Sequence, residues 1–312
     1  PTLTKCGSNN SMKSILITGC STGLGRATAL LFSNKGYQVF AGVRNDKDAQ
    51  ALTESDSAGN IQPLLLDITD GEQLGAAVER LENQLADTGL DALVNNAGIA
   101  KFIPLEFANP DDIRHMFEVN TMGPLLLSQS LLPLLRKAKG RIVIVGSIAG
   151  KVAFRFNGPY SISKFALEGF TDVLRRELSP FGIRVCLLEP GAIATPMMDK
   201  VEAESEEVIS NLPREGKTYY ESAIRDYMSS IPFSKDYAAT PEQAAKVVAH
   251  AVESRRPKPR YLVTPDAKAL VFLSWVLPDR IFDALLNKLS DLMGSEIMQS
   301  KIWGRDRISD QT

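Results

Sequence analysis

Cysteine is scarce in this sequence: Cys6, Cys20 and Cys186 are the only three among 312 residues. They form no CxxC pair, and with just two histidines, His115 and His250, no metal-ligand cluster arises from spacing. The sequence therefore predicts neither a metal site nor a disulfide framework, and it suits a reducing, cytoplasmic setting. Neither sign of charge is in excess. Lys and Arg number 35 against 37 Asp and Glu, a formal net charge of −2, which argues against the basic footprint of a nucleic-acid binder. Long apolar runs are also missing. Residues 267–277 (AKALVFLSWVL) are strongly apolar but number only 11, short of the ~20 needed to cross a bilayer. Pro1 to Ser11 carries no apolar core of a signal peptide. Residues 1–12 read as a polar leader, with Met12 a candidate start.

What is present is an alternation. Hydrophobic residues make up 44% of the chain, enough for a sizeable core. Short apolar runs at 14–18, 38–43, 62–67, 92–94, 141–146, 184–188 and 260–263 suit strands buried on both faces. Amphipathic, helix-length segments separate them, among them 71–86, 113–136 and 160–179. Repeated β-α alternation predicts an α/β fold with one parallel, doubly wound sheet of about seven strands and helices on both faces. Residues 13–265 form the predicted domain. Within it, 196–240 leaves the carboxyl edge of the sheet, where ligands bind in such folds, and reads as a helical flap. Residues 266–303 read as a C-terminal helical extension, with Ile281, Leu285, Leu289 and Leu292 at helical spacing, and 304–312 as a polar tail. The extension suits a lid or a packing helix, and equally a peripheral membrane contact.

The first strand runs into Thr18-Gly19-Cys20-Ser21-Thr22-Gly23-Leu24-Gly25. Glycines admit backbone conformations that a Cβ obstructs and let a pyrophosphate approach closely. The following helix presents free N–H groups and its positive dipole end to that anion. Gly19, Ser21, Thr22, Gly23, Leu24 and Gly25 are the candidate cofactor loop.

Tyr160 and Lys164 lie four residues apart in Tyr-Ser-Ile-Ser-Lys, which places both on one helix face. A tyrosine with its ordinary pKa of ~10 is a poor base at neutral pH. A nearby ammonium is expected to lower that value and tune Tyr160 as the acid for carbonyl reduction and the base for alcohol oxidation. Ser147, at the end of the fifth strand and 13 residues before Tyr160, can hold the substrate oxygen.

The TGxxxGxG spacing, Asn95-Asn96-Ala97-Gly98, Asn120, the Ser147/Tyr160/Lys164 set and the Pro190-Gly191 turn occur in the order of the short-chain dehydrogenase/reductase family, which the chain resembles over roughly residues 13–263. The resemblance implies a Rossmann-type nicotinamide-binding domain and an Asn120–Ser147–Tyr160–Lys164 catalytic tetrad. In it Asn120 holds a water linked to Lys164, and Lys164 also binds the cofactor ribose. It further implies that Asp67 holds the adenine amino group with Ile68 beside it, that Asn95, Ala97, Gly98, Pro190, Gly191 and Ile193 line the cofactor, and that Thr195 orients the carboxamide. Where NAD-selective members carry an aspartate this chain has Val43, followed by Arg44. An arginine there can pair with a 2′-phosphate, so NADP(H) is expected, with NAD(H) the alternative. Family members pair through the helices at 113–136 and 160–179, which implies a homodimer or homotetramer.

Phe154 and Phe156, between Ser147 and Tyr160, and Met197 and Met198, at the flap hinge, suit an adaptable apolar wall. They point to a small lipophilic carbonyl or alcohol substrate, and the chain is similar to the steroid- and retinoid-oxidising members. Lys151, Arg155 and Lys217 leave an anionic substrate open. A non-catalytic NADP(H) sensor or scaffold is the rival reading, against which the complete tetrad argues.

Overall fold

The computed structural model describes residues 12–229 and 238–294. Seven strands form one sheet: β1 (Ser14–Ile17), β2 (Gln38–Val43), β3 (Ile61–Leu65), β4 (Ala92–Asn95), β5 (Arg141–Val145), β6 (Arg184–Glu189) and β7 (Arg260–Leu262). Their order is β3-β2-β1-β4-β5-β6-β7, and every pair is parallel. The order reverses between β1 and β4. That switch point opens a crevice beyond the carboxyl ends of the strands.

The helices are α1 (Gly23–Asn34), α2 (Asp46–Glu54), α3 (Gly71–Leu85), α4 (Pro110–Phe117), α5 (Gly123–Ala138), α6 (Gly158–Leu178), α7 (Pro196–Asn211), α8 (Arg214–Ser229), α9 (Pro241–Glu253), α10 (Pro265–Val276) and α11 (Asp279–Gly294). Side chains alternate across a strand, so each apolar run feeds two cores. Ile15, Ile17, Val39 and Ala41 pack with α1 and α9 on one face. Leu16, Phe40, Leu93 and Ile142 pack with α3, α5 and α6 on the other. This two-sided cover is what makes four-residue β1 stable. Each fully buried Ile or Leu contributes ~1.5–3 kcal/mol, and Ile15, Leu16 and Ile17 are all fully buried.

One predicted helix is interrupted. In place of a continuous 113–136 helix, a π turn at Glu118–Met122 separates α4 from α5. Pro124 offers no N–H to the carbonyl of Asn120 four residues earlier, and the ladder widens there. The predicted flap is helical, as α7 and α8; its residues 230–237 lie outside the described residues, as do the leader at 1–11, residues 295–303 of the extension and the tail at 304–312.

Candidate active site

The loop from β1 to α1 is shaped by contacts that leave no room for side chains. Gly19 and Gly23 have φ of 69° and 54°, in the left-handed region that favours glycine. A Cβ on Gly25 would lie 2.1 Å from the Gly19 carbonyl oxygen. Thr22, at the N-cap of α1, makes no side-chain capping bond, and the first turn holds no acidic residue. Such a turn suits an anion. The loop is latched from β4's end: Asn96 Nδ2 donates to the carbonyls of Thr18 (2.8 Å) and Gly19 (3.1 Å), and Thr18 Oγ1 accepts from the amides of Asn96 and Ala97, each at 2.9 Å.

The side chains of the two asparagines divide between core and loop. Asn95 is buried and donates to Ser128 on α5 (2.9 Å), so its side chain serves the core, while Asn96 and Thr18, outside the expected set, build the loop. The second Asn of the Asn-Asn pair was the available signal. Ile68 is likewise a core residue, buried against Gly123.

Arg44 is exposed just beyond β2. Burial works against the Asp67 carboxylate, but two hydrogen bonds from Thr69 and the charges of Arg44 and His115 hold its pKa below the usual range. Arg44 and Asp67 thus share one electrostatic neighbourhood at the carboxyl ends of β2 and β3. On the other side of the switch point, Gly191 N–H donates to Thr264 Oγ1 (3.0 Å) and Ala192 N–H to Asp266 Oδ2 (3.2 Å). Ile193 bridges to Ala239. Thr195 reaches back to the loop: a Cβ on Gly23 would sit 3.1 Å from its methyl. Loop, turn and threonine therefore face one crevice, which fits a dinucleotide laid across the sheet edge. Thr264, just after β7, and Asp266, at the start of the extension, carry no local sequence signal.

The four polar residues of the expected tetrad converge. Ser147 hydrogen-bonds Tyr160, and its Oγ also accepts from Ala149 N–H (3.1 Å). Lys164 Nζ lies 5.6 Å from the Tyr160 ring centroid and donates to the Val145 carbonyl (2.9 Å). Asn120 is buried; its Oδ1 accepts from Ile99 N–H (2.8 Å) while Nδ2 donates to the Ile99 carbonyl and Ser163 Oγ, both 2.9 Å. Gly98 keeps a gap between Asn120 and Lys164: a Cβ there would lie 3.3 Å from Asn120 Oδ1 and 3.7 Å from Lys164 Nζ. The acid–base balance differs from the sequence expectation. Burial pushes the Tyr160 phenol above its ordinary value, only partly offset by the Ser147 hydrogen bond. Burial also brings Lys164 down to about 8. Desolvation is the leading cause of both shifts.

The candidate wall residues divide. Phe156, held at a left-handed φ of 64°, packs edge-on against Tyr220 and Tyr227 of α8, with ring centroids 6.3 and 5.9 Å away. Phe102 joins Tyr227, Phe107 joins Tyr220, and Met198 packs into the same cluster. Phe154 instead packs with Ile148, Val152, Ala267 and Phe282 beneath the extension, and Met197 is exposed. A cavity of 220 Å³ lies where Phe154 and Arg155 face Tyr227, Asp283 and Asn287. The extension thus packs on the turn that follows Ser147, as a covering helix would. Phe272, Trp275, Val276 and Ile281 nonetheless stay exposed. Of the cations that suited an anionic substrate, Lys151 is taken by Glu168 at 2.8 Å. No metal-binding group of His, Cys, Asp or Glu occurs among the described residues, and no helix among them is long and apolar enough to cross a membrane.

A sequence profile of the family described as short chain dehydrogenase matches residues 13–206. The chain is 37% identical to mouse (Mus musculus) retinol dehydrogenase 5 over 278 residues, 87% of each chain. It is 33% identical to 17-beta-hydroxysteroid dehydrogenase type 6 of Rattus norvegicus over 286 residues, 88% of this chain and 87% of the relative. Among solved structures, a short chain dehydrogenase from Burkholderia cenocepacia in complex with NADP is similar at a TM-score of 0.67 and 26% identity, over 89% of this chain and 97% of that one.

Proposed function

The chain belongs to the short-chain dehydrogenase family, oxidoreductases acting on alcohols and carbonyls, and we propose that it transfers a hydride between NADP(H) and a lipophilic ketone, aldehyde or the corresponding alcohol, of steroid, retinoid or lipid type. The observation that carries this reading is the polar Ser147–Tyr160–Lys164 set together with an aromatic cluster that Phe156, four residues before Tyr160, forms with Phe102, Phe107 and the flap's Tyr220 and Tyr227. An apolar wall next to a few polar groups is the ordinary build of a small-molecule site. The retinol- and steroid-named relatives support the same substrate class.

When bound, the nicotinamide supplies or accepts the hydride. Gly19, Ser21, Thr22, Gly23, Leu24 and Gly25 would cradle its pyrophosphate, Asp67 its adenine, and Arg44 a 2′-phosphate, while Ala97, Gly98, Pro190, Gly191, Ile193 and Thr195 would flank the nicotinamide half. Ser147 Oγ holds the substrate oxygen and Tyr160 gives it a proton during reduction, or takes one during oxidation. Lys164 stabilises the phenolate that this leaves, and Asn120 would hold a water linked to Lys164, with no side chain of Gly98 between them. Leu126 on α5 and Ile162, Phe165 and Val173 on α6 are exposed, which supports homo-oligomer formation through those helices. The exposed face of α10 supports a peripheral membrane contact.

Oxidation or reduction of the cofactor, followed by absorbance with steroid, retinoid and small carbonyl or alcohol panels, tests the reading. The expected result is NADP(H)-linked turnover of a lipophilic substrate, lost in Tyr160→Phe with cofactor binding retained. Equal turnover by wild type and Tyr160→Phe would overturn the mechanism. Tight cofactor binding without turnover across the panels would favour the sensor reading.

A further inference from the structure

Next to the candidate tetrad lies a charge cluster that the reaction scheme does not use, two buried glutamates met by two part-exposed cations. Glu189 ends β6, directly before Pro190-Gly191, and is 2% exposed. Glu168 lies on α6, one turn beyond Lys164 and two beyond Tyr160, and is 9% exposed. Two cations serve both carboxylates. Lys151 Nζ and Arg260 Nε each stand 2.8 Å from Glu168 Oε2, and 4.0 and 3.8 Å from Glu189 Oε1. Arg260 also pairs with Asp172 at 2.9 Å, which Arg175 holds from α6 at the same distance.

Each glutamate has an oxygen that makes no hydrogen bond, although Glu189 Oε1 lies within 4.0 Å of both cations. Glu168 Oε1 and Glu189 Oε1 are buried without a hydrogen-bond partner. A buried carboxylate oxygen left in that state is costly, and two neighbouring carboxylates resist ionising together. One proton between them answers both problems: a protonated carboxyl donates and an ionised one accepts.

The position of the cluster gives it consequence. Lys151 closes the short turn that begins at Ser147. The carbonyl of Pro190 accepts from Ile148 N–H in that turn (2.8 Å), and the carbonyl of Glu189 accepts from Val263 N–H (3.2 Å). The four groups therefore tie together the Ser147 turn, the Tyr160/Lys164 helix, the Pro190-Gly191 turn and β7.

We propose that Glu189 is a positioning residue: it shares one proton with Glu168 and, with Lys151 and Arg260, locks the Pro190-Gly191 turn in register with the helix that carries Tyr160 and Lys164. This rests on the reading of the crevice as a nicotinamide-dependent alcohol/carbonyl site. Burial, reinforced by the Glu168 carboxylate, pushes Glu189 up to about 8, which agrees with a proton held at neutral pH.

The test combines infrared spectroscopy with cofactor binding on the full chain. At neutral pH the wild type should show the C=O stretch of a protonated carboxyl, absent in Glu189→Gln, and the band should fade as pH rises through about 8. Lys151→Met, which removes a cation that favours ionisation, should move that fading to higher pH. Loss of register should lower kcat in Glu189→Ala by ~10-fold or more and weaken NADPH binding. Glu189→Gln, which preserves shape and neutrality, should restore both to within about twofold, ~0.4 kcal/mol. No carboxyl band in the wild type, a band that survives in Glu189→Gln, or a Gln variant as impaired as Ala would each overturn the proposal. If Glu189→Ala does not fold, the band and its movement in Lys151→Met still decide. A wild type that binds neither NADPH nor NADH would sink the functional reading instead, whatever the band shows.

Discussion

Substituting Lys164 by methionine removes a buried positive charge while keeping a flexible chain of similar length. Lys164 is 4% exposed, and burial lowers its pKa from 10.5 to about 8. At ~1.36 kcal/mol per pH unit the charged form in the folded protein carries a penalty of about 3 kcal/mol. Below about pH 8 both folded and unfolded chains hold the proton, so the penalty is present in full. Between about 8 and 10.5 the unfolded chain binds more protons than the folded one, and wild-type stability rises with pH. Above that range both states are neutral and the penalty is gone. The variant has no such group, and the other titrations cancel in the difference between the two proteins. Urea unfolding at a series of pH values should therefore show wild type gaining about 3 kcal/mol on Lys164→Met across that window. At neutral pH the variant also forfeits the bond to Val145 O (2.9 Å), a charge-assisted contact of ~1.5–3 kcal/mol, so the two proteins should differ there by less than ~2 kcal/mol. Turnover should fall ~10²–10⁴-fold, the usual scale for losing acid–base assistance. A stability difference that stays flat with pH would refute the burial argument, and unchanged turnover would refute the role given to Lys164.

Further substitutions probe the cofactor end. Gly25→Ala places a Cβ 2.1 Å from the Gly19 carbonyl; at ~1–3 kcal/mol of overpacking, calorimetry should show NADPH affinity falling ~10-fold or more, and unaltered binding would mean the loop is not the cradle. Arg44→Ala should weaken NADPH by ~10–100-fold, the worth of a charge-assisted bond, and leave NADH nearly unchanged; equal losses would remove Arg44 from the 2′-phosphate. Asp266→Ala frees the Ala192 amide and should raise KM for the cofactor ~2–10-fold, whereas an unchanged KM would show that the extension does not support that turn. Trp275→Ser, at a side chain 84% exposed, should reduce flotation with liposomes without altering turnover of a water-soluble substrate, and equal flotation would leave α10 as a packing helix only.

Much of this protein is written locally. The β-α alternation, Gly19 and Gly23 with their positive φ, and the Tyr160–Lys164 spacing depend on neighbours within a few residues, and each strand was found within two residues of its expected limits. The helix spanning 113–136 was not legible in full, because its periodicity continues across the π turn at Glu118–Met122. The loop latch was half legible. Asn95 and Asn96 are equivalent in sequence, and only strand geometry sends one into the core and the other to Gly19.

By itself, the sequence determined the sheet, the glycine loop and which polar groups are available for chemistry, because periodicity, backbone permissiveness and helical spacing are short-range properties. Tertiary structure alone decided that Lys151 serves Glu168 rather than a ligand, that Thr264 and Asp266 hold a turn more than 70 residues earlier, and that burial governs the proton affinities of Tyr160, Lys164 and Glu189. Desolvation and long-range pairing depend on what the chain folds against each group, and no window along the sequence contains that information.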